Sequence, residues 1–81
     1  MGIYLRVPCR DAASAARFRD VLTAAEVDVD RVEGRFVVVA TGGHPAFAYD
    51  LAAMAVEGGH ADDADIAPWA AAQDHTLRNI R

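Results

Sequence analysis

The stretch Val27 to Ala40, VDVDRVEGRFVVVA, decides the fold. Val27 and Val29 alternate with Asp28 and Asp30, the period of a half-buried strand. Glu33-Gly34 follows, and glycine reaches positive φ without the steric cost that a Cβ imposes. Phe36-Val37-Val38-Val39-Ala40 then supplies the β-branched and aromatic composition that suits a pleated surface. The stretch therefore reads as a β-hairpin. A two-residue loop at Glu33-Gly34 would pair Val32 with Arg35, Val29 with Val38 and Val27 with Ala40. That register puts Val27, Val29, Phe36, Val38 and Ala40 on the core face, and Asp28, Asp30, Val37 and Val39 on the open face. A slip of one residue would send the core set to solvent.

Upstream, Ile3-Tyr4-Leu5-Arg6-Val7 alternates as a first strand, with Ile3, Leu5 and Val7 inward and Tyr4 and Arg6 outward. Pro8 ends it, because it cannot donate to a ladder. Asp11 is suited to cap a helix running to about Glu26. At 100° per residue, Ala15, Phe18, Val21, Leu22 and Ala25 share its core arc, and Arg17, Asp20 and Thr23 its wet side.

Downstream, Pro45 suits the first position of a second helix that stops at Gly58-Gly59. Phe47, Leu51 and Met54 form one apolar stripe and Tyr49, Ala52 and Val56 another, so this helix wants two neighbours. The order β-α-β-β-α predicts a small two-layer α+β sandwich, ferredoxin-like in outline, with strand one parallel to strand three. The expected fourth strand is weak or missing: of Gly59 to Ala67, only Asp65-Ile66-Ala67 could make a short edge. Pro68 then starts a C-terminal helix with Trp69, Gln73, Thr76, Leu77 and Ile80 on one side. The expected divisions are a core over 1–59, an acidic loop or edge strand over 60–67, and a helix over 68–81 that packs on the core or on a partner chain.

Eighty-one residues make one small domain. Much of the 53% apolar content is alanine, so the core is thin, and self-association is a common remedy. All eight basic residues are arginine, aspartate outnumbers glutamate nine to three, and the net charge is -4. The alanine, arginine, aspartate, glycine and valine usage points to a high-GC bacterium or its phage. The acidic balance argues against nucleic acid as a partner. A lone Cys9 excludes an internal disulfide and suits a reducing cytoplasm. No signal peptide is legible, and no apolar run approaches the roughly 20 residues that a membrane span needs.

Thr41-Gly42-Gly43-His44, between a strand and a helix, is the most site-like stretch. Free backbone N–H groups there could hold an anion, although the stretch is neither a Walker loop nor a G-x-G-x-x-G. Cys9 lies between Arg6 and Arg10 ahead of a helix, a setting that favours thiolate. The run His60-Ala61-Asp62-Asp63-Ala64-Asp65 lacks the spacing of a metal loop. His44, His60 and His75 are scattered, and no catalytic set converges.

The expectation is a cytoplasmic, non-catalytic interaction module without cofactor or metal, forming a homodimer or binding a protein partner. Tyr4, Arg6, Val37 and Val39 would supply an open sheet face, and Tyr49, Val56, Trp69, Leu77 and Ile80 a helical one. The alternative is an anion-sensing regulatory domain using Thr41 to His44.

Overall fold

In a computed structural model, β1 spans Tyr4–Pro8, α1 Ala12–Ala24, β2 Val29–Glu33, β3 Phe36–Ala40, α2 Ala46–Glu57 and α3 Asp63–Asn79. The structure describes residues 4–40 and 46–79, and side chains at 4–40 and 47–72. A three-stranded antiparallel sheet in the order β1-β3-β2 packs against helices in a two-layer α+β fold.

The expected parallel pairing of strand one with strand three is wrong: β1 and β3 are antiparallel, with Leu5 opposite Val39 and Val7 opposite Val37. A crossover through α1 aligns β1 with β2, the strand it enters, and the hairpin then reverses the chain.

The hairpin forms, but in a shifted register. Glu33 faces Phe36, so the two-residue loop is Gly34-Arg35 and not Glu33-Gly34. Gly34 has φ 59° and Arg35 does not share the positive sign, the pattern of a type II′ turn. A bulge between Val29 and Arg31 leaves Asp30 as an extra residue. Val29 and Val32 therefore both face the helices, against Val39 and Val37. Val37 and Val39 are fully buried in the core, which corrects their placement on the open face. Phe36 and Val38 lie on the opposite side, beside Arg6 and Arg31.

Asp11 caps α1, its Oδ1 accepting from the Ser14 N–H at 2.7 Å. That bond is the main reason its carboxyl sits below the usual range. Ala15, Phe18 and Leu22 enter the core as expected, whereas Val21 and Ala25 stay exposed. The helix ends at Ala24, two residues short of the expected limit, with Glu26 at φ 63°. The Glu26 N–H donates to Thr23 O and the Val27 N–H to Leu22 O, a Schellman closure. The end of α2 repeats it: Gly59, at φ 75°, donates to Val56 O, and His60 to Ala55 O.

No fourth strand occurs among the described residues. The run read as an acidic loop with a short edge at Asp65-Ile66-Ala67 instead opens α3 at Asp63, five residues before Pro68. Asp62 O accepts from the Ile66 N–H, and Asp63 and Asp65 occupy the first turn, where carboxylates complement the helix dipole. Pro68 lies inside the helix.

Candidate functional site

The joint between the β1–α1 and α2–α3 connections is tightly fastened. The Arg10 N–H donates to His60 O at 2.8 Å, and the Arg10 guanidinium pairs with Asp62 at 3.0 Å. The His60 ring is buried, its centroid 5.3 Å from that of Phe18, and its Nδ1 has no hydrogen-bond partner among the described residues. Asp62, Asp63 and Asp65 belong to this ion pair and to the first turn of α3. No group of three or more His, Cys, Asp or Glu among the described residues could hold a metal.

Cys9 is buried beside this joint. Its N–H donates to Arg35 O, and its own carbonyl accepts from the Arg35 guanidinium. Burial pushes its thiol up to about 11, outweighing the nearby Arg35 charge. The sequence context favoured thiolate, and burial reverses that expectation.

The outer sheet face is largely covered by its own side chains. The Arg6 and Arg35 guanidinium carbons lie 4.8 and 5.1 Å from the Phe36 ring centroid, within cation–π range. Glu33 bonds Arg31 at 2.9 Å and faces Arg6 at 3.4 Å, and Arg31 also pairs with Asp30. The Arg31 hydrogen bond is the first cause holding the Glu33 carboxyl below its usual range. Val38 is sealed in this layer, with 1% of its surface accessible. Tyr4, at 55%, is the large apolar residue left exposed there.

The helical side is more open. The short link over 58–62 returns the chain along α2, and α2 and α3 pack together. Leu51 and Ala55 of α2 and Ile66 and Ala70 of α3 enter the core. Between the helices lies a cleft of about 250 Å³, with Tyr49, Ala52, Ala53 and Val56 on one wall and Ile66, Ala67 and Ala70 on the other. Glu57 and Asp63 mark the end where α2 stops and α3 starts.

Of the expected interface residues, Tyr49 and Val56 line this cleft, and Tyr4 and Arg6 remain on the sheet face. Trp69 is half-buried and packs against the core. The second apolar stripe of α2 faces Ile66, Ala67 and Ala70 across this cleft. Thr41, Gly42, Gly43, His44 and Ile80 lie outside the described residues, as does the Leu77 side chain. Ile66 was missed because the helix was started at Pro68, whereas Ala70 lay inside the expected helix but off its stripe. The signal for Ile66 was the Asp62-Asp63-Ala64-Asp65 run, which is acidic first-turn composition.

No protein-family model, curated protein or solved structure matches the chain.

Proposed function

We propose that this protein is a non-catalytic protein-interaction module whose contact surface is the α2–α3 cleft. The observation that carries this reading is Tyr49. It stands 48% exposed on the wall of an apolar cleft, while on the sheet face Phe36 lies under two arginines and Tyr4, at 55%, is the exposed aromatic. An exposed tyrosine beside small aliphatic neighbours is the composition of an interface centre.

Tyr49→Asp and Val56→Asp test the reading. Both are expected to abolish capture of a binding partner from the native host while leaving the circular dichroism spectrum and thermal midpoint near wild type. Undiminished capture by both folded variants would refute it.

Self-association is the second reading, favoured by the ladder position of β1, which among the described residues pairs with β3 on one side only. Such an edge can template pairing with another chain. Light scattering over a concentration series checks it: a dimer lost on placing proline at Arg6 supports edge pairing, and a monomer throughout removes it.

A further inference from the structure

We draw no further inference here: the strongest candidate, the apolar cleft between α2 and α3 lined by Tyr49, Val56 and Ile66, carries nothing further because nothing in the structure shows what covers it.

Discussion

Gly58 and Gly59 adjoin one another and are held to glycine for different reasons. A Cβ on Gly58 would come within 2.7 Å of the His60 ring, which is buried against Phe18 and has little room to move. Gly59 has open space around it but sits at φ 75°, where a side chain strains the backbone. Gly58→Ala is expected to lose about 1–3 kcal/mol through overpacking. Gly59→Ala should lose about 1–2 kcal/mol through left-handed strain alone. Urea melts measure both, and adding His60→Ala separates them: it should relieve the Gly58 variant and leave the Gly59 penalty unchanged.

Cys9 gives a second expectation at this scale. With its thiol at about 11, roughly one molecule in ten thousand carries thiolate at neutral pH. Native alkylation should therefore be far slower than in urea, and a fast native reaction would contradict the burial. The folded value lies above the ordinary 9.0, so the folded state keeps its proton longer than the unfolded chain does. This group's pH-linked contribution is intact below pH 9 and declines as pH rises from about 9 to about 11. A Cys9→Ala variant should lose that alkaline slope.

Among the elements, the two Schellman closures differ in one residue. Gly59 takes the left-handed position after α2, but Glu26 takes it after α1, at φ 63°. Glu26→Gly should relieve a backbone cost of about 1–2 kcal/mol, offset in part by the extra freedom glycine gives the unfolded chain. A net gain of about 0.5–1 kcal/mol in chemical denaturation is expected. A loss would show that the Glu26 side chain contributes more than its backbone costs. The start of α3 follows a related logic. Pro68 marked a helix start in sequence, yet Asp63 and Asp65 make a better first turn, and the helix continues through the proline.

For the whole molecule, a thin core makes single positions decisive. Leu5, Val7, Phe18, Leu22, Val37, Val39 and Leu51 are nearly all of its large fully buried side chains from the sheet, α1 and α2, and alanine fills much of the rest. Phe18→Ala should cost about 3–5 kcal/mol, against a total of about 5–15 kcal/mol for a domain of ordinary stability. Val37→Asp buries an unpaired charge and should unfold the chain, whereas Val21→Asp, on the exposed side of α1, should change stability by under about 1 kcal/mol. Thermal melts of the three variants check this. Near-equal effects of the two aspartates would mean that β3 presents its other face to the helices.

The sequence by itself determined what depends on neighbours within a few residues. Asp11 read as a cap because its side chain needs only the amide three positions on, and Leu5 and Val7 separated from Tyr4 and Arg6 because that strand alternates. The hairpin, the glycine stop after α2 and the two apolar stripes of α2 were legible for the same reason. Only the tertiary structure decided the phase of β3. Phe36 to Ala40 is apolar at every position, so it carries no alternation that assigns a face, and a single bulged residue at Asp30 shifts the match across the hairpin. The fate of Cys9 and the cleft between α2 and α3 were likewise set by packing. Burial outweighed the arginines beside the thiol, and the cleft joins residues whose adjacency arises only when the α2–α3 hairpin closes.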